Sequence, residues 1–142
     1  MECKIYPFGT LKDYKYADVA ALYKGKWIFC KHKNRSTWEH PAGHIESGEK
    51  TLEAAKRELY EETGAIKFDI EPLFDYWVAG ELNGVRIDGN GQVYFAIVHT
   101  LGELPHESEM EKIDLFESLP DELTYPVIRD FFAIASERKQ KL

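Results

Sequence analysis

The chain has 142 residues, of which 44% are hydrophobic and 13% aromatic, and its net charge is −7. This composition is typical of a single globular domain spanning residues 1–142, and it excludes a disordered chain. The balance of 18 basic against 25 acidic residues disfavours duplex nucleic acid and anionic membrane surfaces as partners.

Two further features concern the location of the protein. No apolar run approaches the roughly 20 residues that a membrane span needs, and the N-terminal residues lack the apolar segment of a signal peptide. Cys3 and Cys30 have no CxxC spacing, so we expect two free thiols. The sequence therefore predicts a cytoplasmic protein, and it leaves a monomer and a homodimer both open.

The N-terminal third predicts a β-hairpin followed by a loop. Residues 16–23 read as a strand, Lys24 and Gly25 as a turn, and residues 26–33 as the returning strand. Residues 34–49 are rich in Gly, Pro, Ser and Asn, which indicates a loop with short extended pieces.

Residues 50–63 predict a helix. Leu52, Ala55 and Leu59 recur at intervals of three and four residues and form one apolar stripe. Most of the segment consists of good helix formers, and Gly64 is suited to the position just beyond the helix end.

The remainder of the chain predicts more strands and a last helix. Residues 66–78 look extended, and residues 93–100 read as a buried strand. Residues 80–92 contain four glycines and predict a turn or flexible loop, while residues 101–112 predict an acidic loop. A final helix is expected from about Pro126. This order predicts a mixed α/β domain with a small sheet and helices on its faces.

Three glutamates, Glu58, Glu61 and Glu62, are grouped in the last turns of the predicted helix. Their spacing places them on one face, in an arc of about 100° that borders the apolar stripe. There they repel one another and oppose the helix dipole. A hard cation such as Mg²⁺ would turn this repulsion into attraction, and the alternative is a solvated acidic face.

The glutamates are part of a longer pattern. Residues 43–65, GHIESGEKTLEAAKRELYEETGA, fit G-x5-E-x7-R-E-U-x-E-E-x-G-U, where U is an aliphatic residue. Eight positions match: Gly43, Glu49, Arg57, Glu58, Leu59, Glu61, Glu62 and Gly64. The last position departs, because Ala65 stands where a larger aliphatic residue is usual. The segment strongly resembles the signature box of the Nudix hydrolases.

The resemblance implies an α/β/α sandwich with a central mixed sheet, and Mg²⁺ or Mn²⁺ as the cofactor. The implied metal ligands are Glu58, Glu61, Glu62 and, in the loop before the last helix, Glu109. Glu61 or Glu58 would also orient or deprotonate the attacking water. Arg57 would pair with Glu49 and fix the loop against the helix, and Glu49 itself could reach a metal. The alternatives are a surface ion pair for Arg57 and an exposed acidic loop for Glu109.

Residues 37–46, TWEHPAGHIE, resemble the stretch WEFPGGKIE that precedes the box in the nucleotide-pool-cleansing branch. Trp38 and Glu39 match that stretch, whereas His40 replaces its phenylalanine; Ala42 and His44 also depart from it. Trp38, Glu39 and Gly43 are therefore candidate substrate-binding residues. Lys33 and Arg35 come just before the box and are candidates for holding phosphates, with a solvated strand end as the alternative.

Other residues concern recognition of the nucleobase. Residues 119–128, LPDELTYPVI, resemble 8-oxo-dGTP diphosphatases, but Thr124 stands where that branch has a purine-reading asparagine. This replacement argues against recognition of 8-oxoguanine. The aromatic residues Trp38, Tyr76, Trp77 and Tyr94 are candidates for base stacking, with the protein core as the alternative.

The resemblance therefore implies an Mg²⁺-dependent pyrophosphohydrolase that cleaves a nucleoside triphosphate, including an oxidised one, to the monophosphate and pyrophosphate. Its partner would be a small nucleotide. One alternative keeps the chemistry on ADP-ribose, a dinucleoside polyphosphate or a capped RNA end. The other is a non-catalytic nucleotide-sensing module, although such modules usually lose box glutamates and these are intact.

Overall fold

The computed structural model describes residues 1–142, which form one seven-stranded sheet and two helices. The strands are β1 (Glu2–Pro7), β2 (Tyr14–Tyr23), β3 (Lys26–His32), β4 (Ala42–His44), β5 (Ala65–Leu82), β6 (Val85–Leu101) and β7 (Met110–Phe116). The helices are α1 (Thr51–Thr63) and α2 (Ile128–Gln140). Neither helix is long and apolar enough to cross a membrane.

The sheet is mixed. Its strand order is β1-β5-β6-β2-β3-β7, with β4 added to β2. The pairing of β2 with β6 is parallel, and the other pairings are antiparallel. Strand β2 pairs with β3 only at Leu22 and Tyr23, while Tyr16 to Asp18 pair with β4. The sheet therefore splits along β2, and β4 occupies the split.

Each helix covers one face of the sheet. Alternate residues of β2 point to opposite faces, and Ala17 and Val19 share a buried cluster with Leu59 of α1. Ala20 and Leu22 belong to a second cluster that contains Phe131 and Phe132 of α2. This arrangement confirms the α/β/α sandwich with a central mixed sheet.

Helix α1 ends where predicted, and its buried face is the predicted one except at Leu52. Gly64 adopts a left-handed conformation with φ of 82°, and its N–H donates to the Tyr60 carbonyl, so the helix ends where expected. Leu52, which the apolar stripe placed inward, is 39% exposed. Ala55 and Leu59 are buried as predicted. The buried face also includes Ala54, Glu58 and Thr63, so it extends toward the glutamates.

Two predicted loops are wrong in part. Residues 80–92 continue β5 and β6, and the turn is confined to Asn83 and Gly84. Gly91 is needed for close packing within this hairpin, because a Cβ there would lie 2.3 Å from a Tyr76 ring atom. The acidic loop at 101–112 ends early, because β7 begins at Met110 and pairs with β3. Strand β1 was not predicted, and α2 begins two residues after Pro126.

Candidate active site

The carboxylates at the end of α1 face the backbone of β4. Glu62 Oε1 accepts a hydrogen bond from the Ala42 N–H at 2.8 Å. Gly43 lies so close to Glu58 that a Cβ at position 43 would be 2.2 Å from Glu58 Oε1. The glycine that opens the sequence pattern thus leaves room for a buried glutamate of the helix.

Arg57 connects the helix to the loop that precedes it. Its Nε and Nη2 donate to the two carboxylate oxygens of Glu49 at 2.8 and 2.9 Å. Nη2 also donates to the His44 carbonyl at 3.1 Å, and Nη1 donates to Glu58 at 2.8 Å and to Glu61 at 3.3 Å. This is the Arg57–Glu49 contact that the resemblance implied, with Glu58 and Glu61 joined to it.

The surroundings shift the proton affinities of these carboxylates in opposite directions. Burial, together with the nearby Glu58, Glu39 and Glu109, raises the pKa of Glu62 to about 9, although the hydrogen bond from the Ala42 N–H opposes the shift. Burial also raises the pKa of Glu58 to about 7, although Arg57 opposes the shift. The hydrogen bond from Arg57 lowers the pKa of Glu49 to about 2. Burial therefore dominates at Glu58 and Glu62, whereas the contact with Arg57 dominates at Glu49.

The donor set fits a hard divalent cation. No three His, Cys, Asp or Glu side chains are grouped closely enough to form a ready cation site, so ligands would have to rearrange around the ion. However, Glu58 and Glu62 are carboxylates whose raised pKa reflects burial and repulsion by neighbouring carboxylates. A bound cation relieves both, and carboxylate oxygen is the ligand that Mg²⁺ prefers.

The other two predicted metal ligands, Glu61 and Glu109, are more exposed than Glu58. The Glu61 side chain is 47% exposed and contacts Arg57. The Glu109 side chain is 81% exposed, and its carboxylate lies 3.6 Å from His32 Nε2. Glu109 nevertheless lines the same cavity as Glu58 and Glu62.

That cavity has a volume of about 510 Å³, within the range of roughly 300 to 1,000 Å³ of small-molecule sites. Glu58, Glu62 and Gly43 belong to its wall. Tyr125 and Phe131, from the segment around the start of α2, supply aromatic surface. The cavity thus joins a carboxylate cluster to an aromatic region.

The predicted substrate-binding residues divide into two groups. Arg35, Glu39 and Gly43 line the cavity, as does Tyr76. Lys33 and Trp38 do not: Lys33 is exposed, and the Trp38 ring packs against Phe116 with centroids 5.1 Å apart. The stacking candidates Trp77 and Tyr94 also lie outside the cavity wall.

Glu39 forms hydrogen bonds with both Arg35 and Thr124. Arg35 Nη1 lies 3.1 and 3.0 Å from the two oxygens of Glu39, and the Thr124 hydroxyl donates to Glu39 at 2.9 Å. The Thr37 hydroxyl is 2.6 Å from that of Thr124. Thr124 is therefore engaged within the protein.

Sequence reasoning missed several polar residues of the cavity wall, of which Asp18 and His40 are buried. Asp18 interrupts an apolar strand on the face shared with Ala20 and Leu22, which is a signal that could have been read. His40 is the departure from the family's phenylalanine, and no chemistry was predicted for it. In the structure its Nε2 lies 2.5 Å from Asp18 Oδ2.

A sequence profile of the NUDIX domain matches residues 16–131. The chain belongs to the Nudix family. The match covers β3 to β7, α1 and most of β2, whereas β1 and most of α2 lie outside it. The Nudix box corresponds to β4, the following loop, α1 and its glycine stop.

Relatives within the Nudix family carry two kinds of name. YtkD of Bacillus subtilis, provisionally named an 8-oxo-dGTP diphosphatase, is 33% identical over 110 residues, covering 78% of this chain and 66% of YtkD. An RNA pyrophosphohydrolase of Bartonella henselae is 37% identical over 88 residues, covering 54% of this chain and 50% of the relative. This chain thus spans about two thirds of the length of YtkD and half of the length of the Bartonella relative.

The Nudix fold is also found in the solved structures that resemble this chain. The crystal structure of the pyrophosphohydrolase BsRppH from Bacillus subtilis superposes with a TM-score of 0.77 at 26% identity. The match covers 98% of this chain and 89% of BsRppH. A Nudix hydrolase from Nitrosomonas europaea, at 18% identity and a TM-score of 0.71, shares the fold.

Proposed function

We propose that this chain is an Mg²⁺- or Mn²⁺-dependent pyrophosphohydrolase that cleaves a nucleoside triphosphate to the monophosphate and pyrophosphate. One observation carries the proposal: Glu58 and Glu62, whose pKa values are raised by burial, share a cavity of about 510 Å³ with aromatic side chains. The carboxylates suit a metal-bound phosphate chain, and the aromatic region suits a base.

Each residue of the cluster has a proposed role. Glu58, Glu62 and Glu61 would hold the metal, with Glu109 joining from the cavity wall. When bound, the ion would neutralise phosphate charge and lower the pKa of a water ligand. Glu61 or Glu58 would take the proton from the attacking water. Arg57, held by Glu49, would fix the direction of the Glu58 and Glu61 carboxylates.

A second candidate substrate is the 5′ end of an RNA. It is supported by the name of the Bartonella relative, an RNA pyrophosphohydrolase. Lys15 and Arg86 also line the cavity, and their side chains are 47% and 61% exposed. Such positions would let basic side chains meet the phosphates of a nucleotide chain that continues out of the cavity.

The test is product analysis with and without Mg²⁺ on canonical dNTPs, 8-oxo-dGTP, ADP-ribose, diadenosine tetraphosphate and a short 5′-triphosphorylated RNA. We expect metal-dependent release of monophosphate and pyrophosphate from a triphosphate, and loss of this activity in Glu62→Gln. Efficient cleavage of the RNA alone would favour the second candidate. Cleavage of ADP-ribose or the dinucleotide alone, or binding without cleavage, would overturn the proposal.

A further inference from the structure

Three buried polar side chains form a chain of hydrogen bonds in the cavity wall. Asp18, His40 and Tyr76 are 4%, 5% and 6% exposed, and all three line the cavity. The Tyr76 hydroxyl donates to Asp18 Oδ1 at 2.7 Å, and His40 Nε2 lies 2.5 Å from Asp18 Oδ2. Neither Asp18 nor His40 has a role in the chemistry proposed for the carboxylate cluster.

One atom of this chain has no partner. His40 Nδ1 is buried and makes no hydrogen bond within the protein. The imidazole ring is surrounded by aromatic neighbours, with centroids 6.3 Å from Phe131 and 6.1 Å from Phe132. Buried polar atoms are almost always satisfied. Because His40 belongs to the cavity wall, a ligand that displaces the side chains over Nδ1 would supply the missing partner.

The hydrogen-bond pattern fixes what kind of partner fits. Asp18 accepts the Tyr76 hydroxyl, so the carboxylate also acts as an acceptor toward His40, which donates from Nε2–H. In the neutral imidazole, Nδ1 then carries a lone pair and accepts. The remaining lone pairs of Asp18 are acceptors as well. This part of the wall therefore offers acceptors to a ligand.

We propose that Asp18 and His40 read the nucleobase of the substrate by accepting a hydrogen bond from its exocyclic amino group. The inference rests on the proposed function, because it assumes that a nucleotide occupies this cavity. It assigns the aromatic end of the cavity to the base and the carboxylate end to the phosphates. Bases with an amino group are then preferred over matched bases with a keto group or hydrogen in its place.

The Asp18→Asn variant reverses the polarity of this wall without changing its shape. Tyr76 holds the oxygen of the amide, so the amide NH₂ faces His40 Nε2. Nε2 then accepts, and the ring proton moves to Nδ1, which becomes a donor. A donor favours keto bases, so the base preference is expected to reverse.

The measurement is kcat/KM for three matched pairs of triphosphates: GTP and ITP, ATP and ITP, and CTP and UTP. We expect the wild type to prefer the amino member of at least one pair by about tenfold or more, because an unpaired buried polar group rejects the wrong base. In Asp18→Asn the ATP/ITP or CTP/UTP preference inverts. In His40→Phe, which restores the family's phenylalanine, the ratio falls to within about twofold.

The matched control is Asp69→Asn. His99 and Asp69 form an exposed pair at 2.8 Å on β5 and β6, outside the cavity. This variant should leave every ratio unchanged. Circular dichroism and thermal unfolding establish that each variant is folded before its ratios are compared. A wild type without base preference, or an Asp18→Asn variant that keeps the wild-type ratios, would overturn the inference.

Calorimetric binding of the same triphosphates in Ca²⁺ separates this inference from the proposed function. Amino-selective binding that inverts in Asp18→Asn supports base reading even where no substrate is cleaved, and the proposed function then fails alone. Metal-dependent cleavage with equal binding and equal kcat/KM for all bases sustains the proposed function and overturns base reading.

Discussion

Glu62 shows how a functional requirement can oppose stability at a single residue. Its pKa is raised from 4.5 to about 9 by burial and by neighbouring carboxylates. The folded protein therefore binds a proton at Glu62 more tightly than the unfolded chain does. Glu62 contributes stability that is complete below its unfolded pKa, and this stability is lost as the pH rises toward about 9.

In metal-free protein, we expect Glu62→Gln to match the wild type near pH 4 and to be more stable than the wild type at pH 9. The glutamine keeps an oxygen that can accept the Ala42 N–H, and it carries no charge to bury. Urea unfolding at pH 4, 7 and 9 measures the difference, with Glu137→Gln on the exposed side of α2 as the control. Loss of stability at every pH would mean that Glu62 is structural.

The same variant should lose activity. Removing one carboxylate from the proposed metal site is expected to lower turnover with Mg²⁺ by at least about 100-fold, the upper end of what the loss of an outer-sphere partner costs. A steady-state assay on the best triphosphate measures this. Retention of more than a tenth of wild-type turnover would remove Glu62 from the metal site.

At the scale of elements, the contact between α1 and β4 depends on Gly43. A Cβ at this position would lie 2.2 Å from Glu58 Oε1, so Gly43→Ala must push β4 away from the helix or displace Glu58. Overpacking of this kind costs roughly 1–3 kcal/mol. Urea unfolding is expected to show this loss, together with lower activity.

A double-mutant cycle identifies the cause. In a Glu58→Ala background the colliding carboxylate is absent, so Gly43→Ala should cost much less than it does alone. Equal costs in the two backgrounds would mean that the alanine acts through the β4 backbone instead of through Glu58.

Local sequence could predict those elements whose ends are marked by a residue of the element or by the residue next to it. Gly64 ended α1 because its φ of 82° favours glycine, and Lys24 and Gly25 closed the β2–β3 hairpin with φ of 52° and 77°. The glycines of residues 80–92 were misread because Gly91 serves a distant contact with Tyr76, which no local pattern reveals.

The candidate site likewise has one part that the sequence predicted and another part that it did not. The carboxylates on α1 follow from a motif, and the structure brings Glu58 and Glu62 to the cavity as the helix period suggests. The Asp18–His40–Tyr76 chain joins residues up to 58 positions apart. Its members come together only because β4 enters the split along β2 and α2 covers that face, which the sequence alone did not indicate.

At the scale of the whole molecule, a net charge of −7 means that any cation stabilises the protein to some degree by screening. Specific Mg²⁺ binding differs from screening because it depends on named carboxylates. A ligand at about 100 times its Kd adds about 2.7 kcal/mol to the free energy of unfolding. We therefore expect Mg²⁺ to raise the Tm of the wild type well above the value in NaCl of equal ionic strength.

This gain should disappear in Glu62→Gln and on removal of Mg²⁺ with EDTA, and it should persist in Glu137→Gln, because only Glu62 belongs to the proposed site. Thermal unfolding of the three proteins in Mg²⁺ and in NaCl makes the comparison. Equal gains in all three would show that Mg²⁺ acts on the charge of the whole molecule, and the metal site would then have to lie elsewhere.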